Sequence, residues 1–219
     1  GLFQNQKEIN DWIAAGNGIY QADVKPGDVK YVDVNHDGVI NASDKVDLGN
    51  GLPKYTFGFN FSLAWKGFDL SANFTGAAGF QIAQSYRDPS SSQANYSRRI
   101  LKRWTGEGTS NEIPRVTYGD VGNWLFSDLY LQDGDYIRLQ NLTMGYDFKK
   151  LISWKGLSKM RLYFQVQNLF TLTKYDGMDP EIGSFNGTDG NSSDSWVSGV
   201  DMGYYPHPRT FIVGLNLAF

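Results

Sequence analysis

The segment Tyr55–Trp65 reads YTFGFNFSLAW, and it alternates without a break. Tyr55, Phe57, Phe59, Phe61, Leu63 and Trp65 are apolar, while Thr56, Gly58, Asn60, Ser62 and Ala64 are polar or small. Successive side chains of a strand point to opposite faces, so this pattern specifies a strand with one greasy face and one polar face. Its length is also that of a tilted strand crossing a bilayer, about 9–11 residues. Lys66-Gly67 then makes a tight turn, and Phe68, Leu70, Ala72 and Phe74 alternate with Asp69, Ser71, Asn73 and Thr75, which predicts a hairpin.

The pattern returns three times. Leu142, Met144, Tyr146 and Phe148 alternate with polar or small residues, while Ile137 and Leu139 lie in the other phase, so a β-bulge is expected near Gln140-Asn141. Met160, Leu162, Phe164, Val166 and Phe170 form the next apolar stripe, and Phe211, Val213, Leu215, Leu217 and Phe219 the last. The prediction is therefore all-β, with five strands near 55–65, 67–76, 135–148, 158–170 and 209–219. Two architectures accommodate it. A secreted sandwich would bury the apolar faces in a core and serve as a glycan-binding or adhesion module. A membrane barrel would turn them to lipid. The second fits the aromatic content, 15% of residues, and strands longer than the ~5–6 residues usual in soluble sheets. It also fits the lopsided connections: Lys66-Gly67 and 149–157 are short, whereas 1–53, 77–134 and 171–208 are long. Long connections are then extracellular and short ones periplasmic. Known barrels have at least about eight strands, and an open edge in lipid costs several kcal/mol per unpaired backbone group. The chain is accordingly expected to be the C-terminal part of a larger barrel.

Composition excludes other classes. With no Cys, the chain has neither a disulfide framework nor a thiol nucleophile. A net charge of −3 gives no basic face for nucleic acid. Two histidines, His36 and His207, offer little for catalysis, and no apolar run approaches the ~20 residues of a membrane helix. Asp176, Asp179 and Glu181 invite comparison with a glycosidase carboxylate pair, but Asp-Gly and Asp-Pro are turn chemistry, and no enzymatic activity is expected. The Asn-x-Ser/Thr matches at Asn60, Asn73 and Asn141 fall inside predicted strands.

Residues Asp33–Asp44, DVNHDGVINASD, have the spacing of an EF-hand calcium loop. Asp33, Asn35 and Asp37 take positions 1, 3 and 5, Gly38 takes 6, Val39 offers a carbonyl at 7, and Asn41 and Asp44 take 9 and 12. Alternate oxygen ligands around a sharp glycine turn suit a hard cation, and a structural Ca2+ pinning the loop is one expectation. Asp44 is one methylene shorter than the usual Glu. The spacing also resembles a dockerin loop, where Asp is normal there, but no second copy follows. The competing expectation is an Asx-rich turn held by its own side chains.

Several blocks, read together, carry a resemblance: GDVKYVDVNHDGVIN (27–41), GNGLPKYTFGFNFSLAWKGFDLSANFTGAAG (49–79), RRILKRWTGEG (98–108), IPR (113–115), SDLYLQDGDYIRLQNLTMGYDF (127–148), VQNLFTLTKYDGMDPEIG (166–183) and GVDMGYYPHPRTFIVGLNLAF (199–219). Together they resemble the C-terminal portion of SusC/RagA-type TonB-dependent outer-membrane transporters. The resemblance implies a transmembrane antiparallel barrel of about 22 strands with a plug inside. It divides the chain into an extracellular loop, 1–53, and barrel strands with loops, 54–219, the plug and TonB box lying outside it. It implies location in the outer membrane of a Gram-negative bacterium, and import of oligosaccharides or peptides. Implied partners are the rest of the barrel, a SusD-like lipoprotein lid, the TonB complex, membrane lipid and the barrel assembly machinery. The assembly machinery would read Phe211, Val213, Leu215, Leu217 and Phe219. Candidate ligand contacts are the loop aromatics Trp124, Trp196 and Tyr204, since exposed rings stack on sugars. Arg98, Arg99, Lys102 and Arg103, beside Trp104, are expected to form a solvated basic loop face.

Overall fold

The computed structural model describes residues 1–85, 98–117, 119, 122–152, 154–182 and 199–219. The chain divides into two units, Gly1–Leu48 with Ser85–Leu131, and Gly49–Gln84 with Gln132–Phe219.

The second unit holds a five-stranded antiparallel sheet, built from β1 (Tyr55–Trp65), β2 (Phe68–Ala78), β5 (Tyr136–Asp147), β6 (Lys159–Thr173) and β8 (Thr210–Ala218), in that spatial order. Lys66 and Gly67 both have positive φ, 48° and 95°, the backbone of a type I′ turn whose twist matches the flanking strands. Register keeps the apolar stripes on one face. Phe61 pairs with Ala72, Leu70 with Met144, Met144 with Phe164, and Phe164 with Val213. Between Leu139 and Asn141 the register shifts against both neighbours, so Gln140 is the bulged residue and the phase of the stripe changes there. Asn168, with φ 51°, marks the corresponding irregularity on β6.

A smaller sheet, ordered β4 (Leu131–Asp133), β3 (Gln81–Gln84), β7 (Val200–Asp201), joins the segments beyond one end of the strands. Beside it Ala77, Phe80, Ile82 and Tyr175 form a buried cluster, with Tyr136 and Ile182 packed against it. This cluster is where the second unit keeps a conventional core. The five-stranded sheet has its apolar face outside.

The first unit contains α1 (Gln6–Ala14), a helix within the stretch read from sequence as loop. Asn5 caps it, its Oδ1 accepting from Glu8 N at 2.9 Å, and Glu8 Oε2 accepts from Gln4 N at 2.7 Å. Gly16, at φ 82°, ends it in the left-handed conformation. Leu2, Phe3 and Ile9 are buried around it, and the edge of Phe3 meets Trp12 at 6.1 Å.

Candidate functional site

The apolar face is continuous across all five strands and open to the outside. Every residue of β1 is exposed, Phe59 at 59% and Trp65 at 65%, and on β8 Val213 reaches 71%. A sandwich would hold these side chains near zero exposure. The runner-up expectation of a soluble sandwich core therefore fails at the strands that suggested it. Neighbouring aromatics contact along this face, Phe59 with Phe74 and Phe164 with Phe211, each at 6.2 Å.

The opposite face is polar and carries an ion pair across strands. Arg161 on β6 donates from Nε and Nη2 to the two carboxylate oxygens of Asp69 on β2, at 2.8 and 2.5 Å. The two lie on either side of β5, and Gly145 is the residue between them. A Cβ there would sit 2.6 Å from Arg161 Nε. Tyr163 covers Gly214 in the same way, 2.2 Å from where a Cβ would be. The Arg161 guanidinium lies 5.0 Å from the Tyr163 ring. Small residues on this face thus create the space in which long polar side chains lie flat along the sheet.

At the far end of the same face stands a buried charge node. Arg138, 3% exposed, donates Nε to Thr171 at 2.9 Å, Nη1 to Glu181 at 2.8 Å, and Nη2 to Asp179. Asp179, itself 4% exposed, also accepts the backbone N–H groups of Glu181 (2.9 Å) and His207 (3.1 Å), and its Oδ2 lies 3.2 Å from His207 Nδ1. Burial would raise the Asp179 pKa. The N–H donors of Glu181 and His207, the His207 ring and Arg138 outweigh it and hold the carboxyl below its ordinary value. These carboxylates tie two loop segments to β5, and no pair of them is set around an open cleft as acid and base. A second acidic anchor is Asp201. It accepts Tyr175 Oη at Oδ2, and the N–H groups of Gly203 (2.8 Å) and Tyr204 (2.9 Å) at Oδ1. Neither Arg138 nor Asp201 stood out in the sequence, although Arg138 is the one cation in the apolar-periodic stretch of β5.

The loop Asp33–Asp44 is held by its own side chains. Asp33 Oδ2 accepts Gly38 N at 2.7 Å and Oδ1 accepts Asp37 N at 3.2 Å. Asp37 Oδ1 accepts Val39 N at 2.9 Å. Asp44 accepts Asn41 N (2.7 Å) and Val34 N (2.9 Å), and these hydrogen bonds, Asn41's foremost, hold its carboxyl below the ordinary value. Asn41 and Asp44 close a capping box around a short 3₁₀ turn, Ala42–Asp44. Asp33 is buried, while Asn35, Asp37 and Asp44 are exposed or half-buried. Among the described residues, no group of three or more His, Asp or Glu side chains converges as a ready metal cluster. The donor set is nonetheless all hard oxygen on one short loop, including the Val39 carbonyl, which fits calcium chemistry.

In the first unit, blocks distant in sequence meet at Asp28, which is fully buried. Its carboxylate accepts Arg115 Nε (2.7 Å) and Nη2 (3.2 Å), Asn123 Nδ2 (2.8 Å) and Lys25 N (2.8 Å). Asn123 in turn accepts Gln21 Nε2 and Val29 N. Gly27, at φ 91°, lies against Trp104, whose ring would be 2.5 Å from a Cβ. Trp104 is thereby packed, while its basic neighbours form a 3₁₀ turn, Arg98–Lys102. Of the loop aromatics, Trp124 is half-buried in the first unit and Tyr204 partly exposed in the second, and Trp196 lies outside the described residues. Tyr205, another of the loop aromatics, is the most exposed of the described tyrosines at 83%.

No family model matches the chain. Among curated proteins it is 34% identical over 206 residues to the TonB-dependent receptor P3 of Formosa agariphila, covering 93% of this chain and 20% of that protein. It is 30% identical to TonB-dependent receptor P26 of the same organism, over 100% of this chain and 22% of that protein. It is 29% identical to the TonB-dependent receptor SusC of Bacteroides thetaiotaomicron, over 92% and 18%. Two solved structures share its fold. One is the RagAB peptide transporter (TM-score 0.59, 24% identity, 78% of this chain and 18% of that one). The other is the RagAB peptide importer in its open-open state (TM-score 0.55, 23% identity, 77% and 17%). The chain spans about a fifth of the length of the curated relatives it matches.

Proposed function

We propose that this chain, a portion of a SusC/RagA-type TonB-dependent receptor, supplies strands and loops to an outer-membrane barrel that imports oligosaccharides or peptides. The observation that carries this is the five-stranded sheet with a continuous outward apolar face. Such a face is unfavourable in water and suited to lipid. Its outer strands, β1 and β8, each pair on one side only among the described residues, and other strands of the barrel would complete them.

In this reading the polar face lines the lumen against a plug, the short turns face the periplasm and the long loops face outward. A SusD-like lipoprotein closes over the loops, TonB supplies the energy through the plug, and the β8 stripe from Phe211 to Phe219 is offered to the assembly machinery. The chain's part is mechanical: wall, loop anchorage through Arg138 and Asp28, and no bond-making chemistry. The loop Asp33–Asp44 would hold Ca2+ through Asp33, Asn35, Asp37, the Val39 carbonyl, Asn41 and Asp44, fixing the loop's shape.

The test is the native polypeptide. An antibody to residues 199–219 should detect a large heat-modifiable band in the outer-membrane fraction. A soluble band near 24.6 kDa would overturn the assignment. For the loop, chelation should speed protease cleavage near residues 30–50, and Asp33→Ala with Asp37→Ala should abolish that dependence. Equal cleavage of the unmodified protein with and without chelator would remove calcium from the account.

A further inference from the structure

We infer that the end of the sheet bearing the short turns is a binding surface for anionic phospholipid, resting on the membrane-barrel reading above. Three elements meet there. Asp147 N donates to Gly67 O at 2.8 Å, which brings the β1–β2 turn to the end of β5, and Ser158 N donates to Ala218 O at 2.7 Å, which brings the β5–β6 connection to the end of β8. Apolar side chains project from this rim into the open: Trp65, Leu151 at 69% exposure, Ile152 and Trp154 at 59%. Trp154 stands edge-on to Phe219 at 6.2 Å, joining the β5–β6 connection to the end of β8, and Phe148 stands edge-on to Tyr146 at 5.0 Å.

Cations are set among these rings. Lys66 Nζ lies 5.0 Å from the Trp65 ring, and Lys149 Nζ donates to Trp154 O at 2.7 Å. Lys155 is exposed on the same connection. Two acidic side chains lie nearby, and both are engaged. Asp69 holds the Arg161 fork, and Asp147 accepts Lys149 N (3.0 Å) and Met160 N (3.3 Å). Among the described residues neither Lys66 nor Lys155 is in an ion pair. The other end of the strands carries Asp133, Asp135, Asp176, Asp179 and Glu181, with Arg138 paired to Asp179 and Glu181 and Lys174 3.7 Å from Asp133. A chain of net charge −3 has thus concentrated unpaired cations at one rim.

The combination selects the partner. Exposed Trp, Leu and Ile seek the boundary of the hydrocarbon, where Trp sits at headgroup depth. Lysines at that depth attract anionic headgroups and do little for zwitterionic ones. A soluble phosphate would use the lysines and leave the apolar ring unused, whereas a phospholipid uses both.

The experiment takes the full-length receptor in detergent, equilibrates it with mixed micelles of equal phosphatidylglycerol and phosphatidylcholine, and measures retained lipid by native mass spectrometry. Each lysine near an anionic surface strengthens attraction about fivefold. Phosphatidylglycerol should therefore be enriched at least about tenfold at low salt, and Lys66→Gln with Lys155→Gln should bring the ratio near one. Trp154→Ser with Leu151→Ser should reduce retention of both lipids while keeping the preference. Equal retention by the unmodified receptor, or undiminished preference in the double lysine variant, would overturn the inference. A heat-modifiability assay on the same sample separates the two levels. A folded barrel without lipid preference sinks this inference alone, and loss of the heat-modifiable barrel in the unmodified protein sinks the membrane reading and this inference with it.

Discussion

Replacing Arg138 with Met should release two loops from the sheet while leaving the strands in place. Arg138 and Asp179 are almost fully buried, and removing one partner of such a pair costs about 3–5 kcal/mol because the other charge stays behind. Asp179 keeps the N–H groups of Glu181 and His207, and Glu181 is 45% exposed and can turn to water, so the lower end, about 3 kcal/mol, applies. At tenfold per 1.4 kcal/mol, the local opening equilibrium should rise about 150-fold. Hydrogen exchange on the full-length receptor reads this directly, because the Glu181 and His207 amides are the donors to Asp179. Both should exchange about 150-fold faster, with amides of the β5–β6 ladder little changed. Arg138→Lys should rescue only in part, since an ammonium cannot fork to Asp179 and Glu181 while reaching Thr171. An increase below about fivefold in Arg138→Met would refute the reasoning, because it would mean that the N–H donors alone hold the loops.

The same node sets an acid limit. Its carboxyl titrates lower in the folded protein than in the unfolded chain, so its stabilisation is present above the unfolded value, about 3.9, and is lost as pH falls through the folded one. Exchange at the His207 amide, corrected for intrinsic rate, should stay flat from pH 7 to about 4.5 and rise only below about 4; a rise centred near pH 6 would contradict the assignment to Asp179. Gly76→Ala should be worse than Gly214→Ala. At Gly76 the new Cβ meets the backbone carbonyl of Tyr136 at 2.5 Å, whereas at Gly214 it meets the Tyr163 ring, which can swing aside. Costs of about 3 and about 1 kcal/mol are expected from the temperature at which heat-modifiability is lost, and the reverse order would be decisive against it. Asp28→Asn should weaken the first unit by about 2 kcal/mol, exposing 98–117 to protease, because a neutral amide replaces a carboxylate that accepts four donors; unchanged cleavage would place the hub's strength elsewhere.

Sequence alone determined the sheet. The period-2 stripes fix which residues share a face, the Lys66-Gly67 turn fixes the first hairpin, and the phase change within β5 is the bulge at Gln140 written in one dimension. These features are local, each set by residues one or two apart, so they can be read directly. The helix at Gln6–Ala14 was missed: its Asn5–Glu8 cap and Gly16 are local signals, but nine residues with one buried side chain carry too weak an apolar period to stand out. Tertiary structure alone decided which face meets the outside and what Arg138, Asp28 and Asp201 do. An alternating strand is equally consistent with a core and with lipid until the exposure of Phe59 and Val213 is known. A lone Arg or Asp shows nothing of partners that lie 41 or 87 residues away. The charge polarity between the two ends of the sheet belongs to the same class, because alternate strands run in opposite directions and sequence order scatters each rim along the chain.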